Sequence, residues 1–202
     1  MIRLHTAATP NGRKVSIALE EIGLDYEVRV WKLAEDEQKS DEFLAMNPNH
    51  KIPVLEDDGL VIWESGAILL HLAEKYGKLL PSDPAGRVEA IQYAFFQTVG
   101  IGPNLGRLAS QLRRPAEERN DEMVEIFTGE VSRLIGVLER ILADGRPFLA
   151  GGYSIADIMH FGWMSPMLGL KAPLLMERPS VVAWLERIAE RPAVQKGMAV
   201  PA

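Results

Sequence analysis

Residues 9 to 15, Thr-Pro-Asn-Gly-Arg-Lys-Val, follow the first apolar run of the chain and contain its first candidates for chemistry. Thr9 and Asn11 supply a hydroxyl and an amide, and both groups donate hydrogen bonds to an anion. The sequence contains no cysteine, so a sulfur nucleophile would have to come from a ligand. The alternative role is helix initiation, with Thr9 as the N-cap and Pro10 at the first helical position.

A second candidate is the tetrapeptide Lys51-Ile52-Pro53-Val54. Proline cannot donate to a sheet ladder, so Pro53 is expected to begin a strand or to lie beside it. It is then either an ordinary loop proline or a cis-proline that turns the backbone of Ile52 outward. In the second case the N–H and C=O of Ile52 would pair with an extended peptide, as an added strand does.

The pair Glu64-Ser65 precedes a helical pattern and is the third candidate. Ser65 is predicted to be the N-cap of that helix. A helix N-terminus also binds anions, so a ligand carboxylate could take this place with the Ser65 hydroxyl as a further donor. Glu64 would supply a negative charge for a ligand ammonium group.

The elements that must position these residues follow from the hydrophobic periodicity. The first part reads as strand, helix, strand, loop, strand, strand and helix, with Gly23 and Gly77 ending the two helices. Asp57-Asp58-Gly59 predicts a hairpin between the last two strands. Residues 81–87 read as a linker, and no strand pattern follows it. We therefore expect a small α/β domain over 1–80 and an all-helical domain over 88–202.

Within the helical part, Ser154 and Asp157 have the spacing of a capping box. A serine N-cap accepts from the helix while the acidic residue three positions on accepts from the cap backbone. The helix that follows is predicted to begin directly after Ser154. Another helix is expected to begin at Pro179 and to end at Arg191-Pro192.

Composition excludes several classes of function. The formal net charge is −6 with no basic block, so nucleic acid is an unexpected partner. No apolar run is long enough to span a bilayer and no signal peptide is recognised, so we expect a cytoplasmic protein without membrane association. The four histidines are scattered without metal-ligand spacing, and no metal is expected.

In combination, residues 47–55, the hairpin and Glu64-Ser65-Gly66-Ala67-Ile68 resemble the glutathione site of the glutathione transferase family. The capping box and the helical half resemble that family too, so the resemblance covers essentially the whole chain. The segment at residues 9–15 resembles the bacterial nu class, in which Thr-Pro-Asn occupies the catalytic turn. The resemblance implies a thioredoxin-like N-terminal domain, an all-α C-terminal domain, glutathione as co-substrate and a homodimer.

The resemblance also implies roles for individual residues. Thr9 and Asn11 would stabilise the glutathione thiolate, and the remaining site residues would bind glutathione: Gln38, Lys51, Ile52, Pro53, Glu64, Ser65 and Arg133. Gln38 and Lys51 would contact the glycine end or the backbone of glutathione. Arg133 would face the site from the second domain, although a surface position on its helix explains it equally well.

Three functions remain open from the sequence. The chain could transfer glutathione to small electrophiles, or it could use glutathione to reduce small disulfides. It could also be a non-catalytic binding or regulatory protein on the same fold, since a fold does not determine a function. Retention of Thr9, Asn11, Glu64 and Ser65 favours catalysis.

Overall fold

The computed structural model describes residues 1–201, which pack as two compact units. The first unit comprises Met1–Pro81 and the residues from Ala189 onward, and the second comprises Ser82–Ile188. The expected domain boundaries stay a prediction, but the packing differs from them at the C-terminus. There the last helix packs against the first helix of the chain rather than with the helices that precede it.

The first unit contains a mixed four-stranded sheet in the order β2-β1-β3-β4. The strands are β1 (Ile2–Thr6), β2 (Glu27–Val30), β3 (Val54–Asp57) and β4 (Leu60–Trp63). β1 is parallel to β2, whereas β3 is antiparallel to both β1 and β4. Asp58 and Gly59 connect β3 to β4 with positive φ angles, as a tight hairpin requires.

Four helices belong to this unit: α1 (Pro10–Ile22), α2 (Asp41–Met46), α3 (Ser65–Tyr76) and, at the C-terminus, α10 (Pro192–Met198). Gly23 and Gly77 end α1 and α3 in the left-handed conformation, as predicted. Ser65 is not the N-cap of α3, because Glu64 occupies that position and Ser65 is the first helical residue. α1 packs against α3, and the buried aliphatic residues of the two helices include Ile17, Leu19, Ile68 and Leu72.

At its other end α3 is tied to the sheet by a buried carboxylate. Asp57, the last residue of β3, accepts from His71 Nε2 at 2.7 Å and from Lys75 Nζ at 2.7 and 2.8 Å. Burial opposes ionisation of this carboxyl group, but the hydrogen bonds from Lys75 and His71 outweigh it and lower the pKa of Asp57. The N-terminal unit therefore contains an ion-paired cluster where β3 ends.

The second unit is helical, and its helices are α4 (Pro84–Phe96), α5 (Gly102–Leu112), α6 (Asp121–Leu142), α7 (Ile155–Gly169), α8 (Pro173–Met176) and most of α9 (Pro179–Ala189). A π-helical turn, Gln97–Ile101, joins α4 to α5. Because Asp83 caps α4 by accepting from the Gly86 N–H at 2.7 Å, the last part of the predicted linker is already helical.

The predicted capping box is present at the start of α7. Asp157 is buried and accepts from the main-chain N–H groups of Ser154 and Leu149 at 2.9 and 3.0 Å, and from Trp184 Nε1 at 2.9 Å. Burial raises the pKa of this carboxyl group against the effect of its hydrogen bonds. One side chain therefore fixes the start of α7, the preceding loop and α9 within the helical unit.

Candidate functional site

The sheet register brings the three candidate segments to one end of the sheet. Val54, the first residue of β3, lies opposite His5 in β1 and opposite Trp63 in β4. The end of β1, the start of β3 and the end of β4 therefore meet there. The segment after β1 contains Thr9 and Asn11, the segment before β3 contains Lys51 to Pro53, and the segment after β4 contains Glu64-Ser65.

Thr9 and Asn11 lie at the amino end of α1. Thr9 is the N-cap, and its Oγ1 accepts from the main-chain N–H of Gly12 at 3.2 Å. A hydroxyl that accepts a hydrogen bond still carries a proton to donate. Pro10 is the first helical residue and Asn11 the second, so both polar side chains belong to the turn where the positive end of the helix dipole lies.

Gly12 positions this turn, and it was not among the residues selected from the sequence. A Cβ atom at this position would lie 2.5 Å from the main-chain oxygen of Ala7 and would also collide with Thr6 Oγ1. The absence of a side chain lets α1 begin directly against the end of β1. The sequence contained a signal for it, because a glycine inside a helix lowers helix stability and is retained there when close packing requires it.

The loop before β3 is held by Asn47, whose side chain is buried. Its Nδ2 donates to the carbonyl of Lys51 at 2.7 Å, and its Oδ1 accepts from the N–H of Asn49 at 2.9 Å. Asn47 was not among the predicted site residues, although asparagine is typical of such turns. It fixes the main chain of Lys51, whose own side chain is exposed.

Ile52 and Pro53 are buried immediately before β3, and the peptide bond between them is cis. Within residues 1–201 neither main-chain polar group of Ile52 forms a backbone hydrogen bond, because the ladder between β3 and β4 begins at Val54. The Ile52 side chain packs with Ala7, Trp31 and Val54. The structure therefore anchors the Ile52 side chain and leaves its main chain able to pair with an extended ligand.

Glu64 and Ser65 lie where β4 ends and α3 begins. Glu64 has φ 72° and ψ 116°, a conformation that non-glycine residues adopt rarely and that is typical of functional sites. Its side chain is exposed, whereas Ser65 is 7% exposed at the first position of α3. A carboxylate thus stands beside a hydroxyl and the free N–H groups of a helix N-terminus, an arrangement that fits a ligand with adjacent ammonium and carboxylate groups.

Lys14 is a further charged residue near this site that the sequence reasoning did not select. It lies on the buried face of α1 with 2% of its surface exposed. Burial lowers the pKa of Lys14 to about 7, while the negative charge of Glu64 acts in the opposite direction. The α1 turn and Glu64 are therefore electrostatically linked through a buried lysine.

Gln38 lies in a 3-10 turn, Glu37–Lys39, after β2. Its Nε2 donates to Asp36 Oδ1 at 3.3 Å. Its Oε1 is buried and has no hydrogen-bond partner among the described residues. A buried carbonyl oxygen without a partner is costly, and a ligand donor would satisfy it.

Arg133 lies in α6 of the helical unit. It donates two hydrogen bonds to Glu130, each 2.7 Å long, and lines a cleft of about 430 Å³ with Phe95, Phe96 and Asn104. The geometry is that of an exposed (i, i+3) ion pair. A contribution of Arg133 to glutathione binding stays a prediction.

Two features are absent from residues 1–201: a cluster of metal-binding side chains and a membrane-spanning helix. No group of three or more histidine, aspartate or glutamate side chains there is arranged to hold a metal ion. In the same residues, no helix is both long and apolar enough to cross a membrane.

Comparison with known proteins identifies the family. Residues 2–74 match the model of the glutathione S-transferase N-terminal domain, and residues 101–192 match that of the C-terminal domain. The chain is 39% identical over 206 residues to the disulfide-bond oxidoreductase YfcG of Escherichia coli, covering 98% of this chain and 94% of the relative.

A solved structure and a regulatory protein are also similar. The glutathione transferase of Pseudomonas putida, solved with one glutathione disulfide per subunit, is 40% identical with a TM-score of 0.94, covering 100% of this chain and 92% of that one. The transcriptional regulator URE2 of Saccharomyces cerevisiae is 33% identical over 232 residues, covering 95% of this chain and 65% of the relative. The matches to both domain models, together with the site geometry, show that this chain belongs to the glutathione S-transferase family.

Proposed function

We propose that the chain binds glutathione at this end of the sheet and holds it as a thiolate for attack on a small disulfide or electrophile. One observation carries the proposal: Thr9 and Asn11 flank the amino end of α1 in a chain without cysteine. Donors at this position can stabilise a sulfur anion, and the anion has to belong to the ligand.

Each end of glutathione has matching groups at the site. The γ-glutamyl ammonium would pair with Glu64, and its carboxylate would accept from Ser65 and the first N–H groups of α3. The cysteinyl main chain would pair with Ile52. Gln38 and Lys51 would bind the glycine end, and Arg133 would add a positive charge. Pro53 holds Ile52 at the start of β3.

The thiolate can be stabilised with modest energies. A free thiol with a pKa of about 8.5 is only a few per cent ionised at neutral pH. A hydrogen bond to a charged acceptor contributes about 1.5–3 kcal/mol. At ~1.36 kcal/mol per unit, one such bond lowers the thiol pKa by roughly one to two units. No base or nucleophile of the protein is required.

Disulfide reduction would proceed in two exchanges. The bound glutathione thiolate attacks one sulfur of the disulfide, a new S–S bond forms, and the departing thiolate takes up a proton. A second glutathione thiolate then attacks the mixed disulfide and releases glutathione disulfide and the second thiol. The names of YfcG and of the Pseudomonas putida complex support this route. Addition to an electrophilic carbon would use the same thiolate.

The competing proposal is a non-catalytic regulatory protein, and the similarity to URE2 supports it. The two proposals differ in the state of the bound thiol. A regulator does not have to activate the thiol, whether or not it binds glutathione. An enzyme has to lower the thiol pKa and turn over substrate.

A homodimer is a further proposal, and exposed apolar side chains on both units support it. In the first unit Leu60, Val61 and Trp63 of β4 are exposed, and in the second Val88, Phe95 and Val99 are exposed on α4 and the π-helical turn. Such clusters of exposed apolar side chains are typical of interaction surfaces. Sedimentation at micromolar concentration is expected to give twice the monomer mass.

We also propose a cytoplasmic location and membership of the nu class.

The decisive experiment titrates the ultraviolet absorbance of the glutathione thiolate in the bound complex. We expect a pKa about one to two units below that of free glutathione. Parallel assays with dithiodiethanol and chlorodinitrobenzene then compare reduction with transfer. A bound thiol with the ordinary pKa and no turnover of either compound would favour the regulatory role.

A further inference from the structure

The C-terminal helix α10 is built onto α1, the helix that carries Thr9 and Asn11. Gly197 makes the closest approach: a Cβ atom there would lie 2.5 Å from the Cα and 2.6 Å from the N of Ile17. The two helix backbones are therefore in direct contact. Only glycine allows this separation, because real Cβ atoms do not approach main-chain atoms so closely.

Two polar contacts flank this crossing. Ser16 Oγ donates to the carbonyl of Gly197 at 2.7 Å in a buried position. Arg191, just before α10, forms a bidentate ion pair with Glu21 at 2.6 and 2.7 Å. A hydrogen bond and an ion pair on either side of a backbone contact fix both the position of α1 along its axis and its rotation.

α10 packs mainly against α1. An α-helix rises 1.5 Å per residue and is stiff over two turns. A displacement of Ile17 will therefore reach the amino end of α1. Ile52, Glu64 and Ser65 lie outside α1, before β3 and at the β4–α3 junction, so we expect a smaller displacement there.

We propose that Gly197 and Ser16 are positioning residues that set the distance between the Thr9–Asn11 turn and the bound sulfur. This inference rests on the proposed function. It separates two properties of the site. α10 controls the ionisation and reactivity of the thiol through α1, whereas Glu64, Ser65 and Ile52 control glutathione affinity independently of α10.

The test combines calorimetry of glutathione binding with ultraviolet titration of the bound thiol in four proteins: wild type, Gly197→Ala, Ser16→Ala and the control Gly136→Ala. Gly136 lies in α6, and no atom stands within 4 Å of a Cβ added there. In Gly197→Ala we expect the thiol pKa to rise by about one unit, a tenfold decrease in the acid dissociation constant of the bound thiol. Ser16→Ala is expected to shift the pKa in the same direction by less, because it removes a hydrogen bond and adds no atom.

The glutathione Kd, measured at about pH 5 where the thiol is protonated in the free and the bound state, is expected to change little in all four proteins. A wild-type thiol with the pKa of free glutathione would refute the proposed function and this inference with it. A lowered pKa in wild type that is retained in both Gly197→Ala and Ser16→Ala would refute the inference alone. Equal loss of affinity and of thiol ionisation would also refute it, because that result indicates general loss of structure. If Gly197→Ala does not fold, Ser16→Ala decides the outcome by the same two measurements.

Discussion

The Thr9 hydroxyl accepts a hydrogen bond from the main-chain N–H of Gly12 across 3.2 Å. Thr9 therefore caps α1 from the position at which we propose that it stabilises the thiolate. Thr9→Val keeps the shape but loses both roles, so we expect a loss of ~0.5–2 kcal/mol in the free energy of unfolding together with lower turnover. Thr9→Ser keeps the hydroxyl and is expected to retain both. Urea denaturation beside steady-state kinetics measures the two effects.

Asn11 is the matched comparison, because it lies inside α1 and is not the cap. We expect Asn11→Ala to lower kcat and raise the pKa of the bound thiol, with little change in melting temperature. Its effect on glutathione affinity is expected to be smaller than its effect on turnover, since the hydrogen bond is strongest to the thiolate. Equal melting temperatures and equal turnover in wild type and variant would assign thiol activation to Thr9 and α1 alone.

Gly12 is expected to tolerate no side chain. In Gly12→Ala the new Cβ meets the Ala7 carbonyl, which is main chain and cannot rotate away. We expect a loss of about 1–3 kcal/mol in stability, as overpacking typically costs. Gly136→Ala is the matched control, since the added Cβ there has open space. Thermal denaturation compares the two, and an unchanged midpoint in Gly12→Ala would contradict the tight junction between β1 and α1.

Glu64 and Ser65 are expected to control affinity rather than reactivity. Glu64→Gln removes the negative charge that faces the glutathione ammonium group, and Ser65→Ala removes a hydrogen bond to its carboxylate, so each is expected to cost about 1–3 kcal/mol of binding. At 1.4 kcal/mol per tenfold, this corresponds to a Kd higher by roughly five- to 150-fold. Titration calorimetry measures it, with Ser110→Ala on the exposed surface of α5 as control. Unchanged affinity in both variants would overturn the assigned orientation of glutathione.

Asp57 gives stability a defined dependence on pH. The pKa of its carboxyl group is lower in the folded chain than in the unfolded chain, where it is about 3.9. The ionised form therefore stabilises the fold above that value, and the contribution is lost as pH falls through the folded pKa.

We expect Asp57→Asn to cost about 1–3 kcal/mol at neutral pH, because Lys75 and His71 lose their charged acceptor. The variant is also expected to lose stability less steeply than wild type as pH falls below about 4. Urea denaturation at several pH values tests both expectations. Asp25→Asn, which removes a charge from an exposed position, is the control. Parallel pH profiles for wild type and Asp57→Asn would contradict the role of this cluster.

Local patterns predicted the strands, the helices and the capping box, because each depends on residues close in sequence. The apolar runs on either side of Asp57-Asp58-Gly59 and the Ser154–Asp157 spacing are such signals. Ser65 was misplaced by one position, since the sequence does not show that Glu64 adopts a positive φ. Lys14 and Asn47 were missed because their burial depends on contacts distant in sequence. The return of α10 to α1 was missed for the same reason.

The contact between Ile17 and Gly197 also sets the order in which the polypeptide can complete its structure during synthesis. Residues separated by 180 positions form one interface, and such long-range contacts are slow to form. The sheet and its first helices leave the ribosome long before their final packing partner exists. The face of α1 that α10 covers in the folded chain stays uncovered while the whole helical unit is synthesised. We therefore expect proteases to cleave the nascent N-terminal unit, and chaperones to bind it, most readily in that interval.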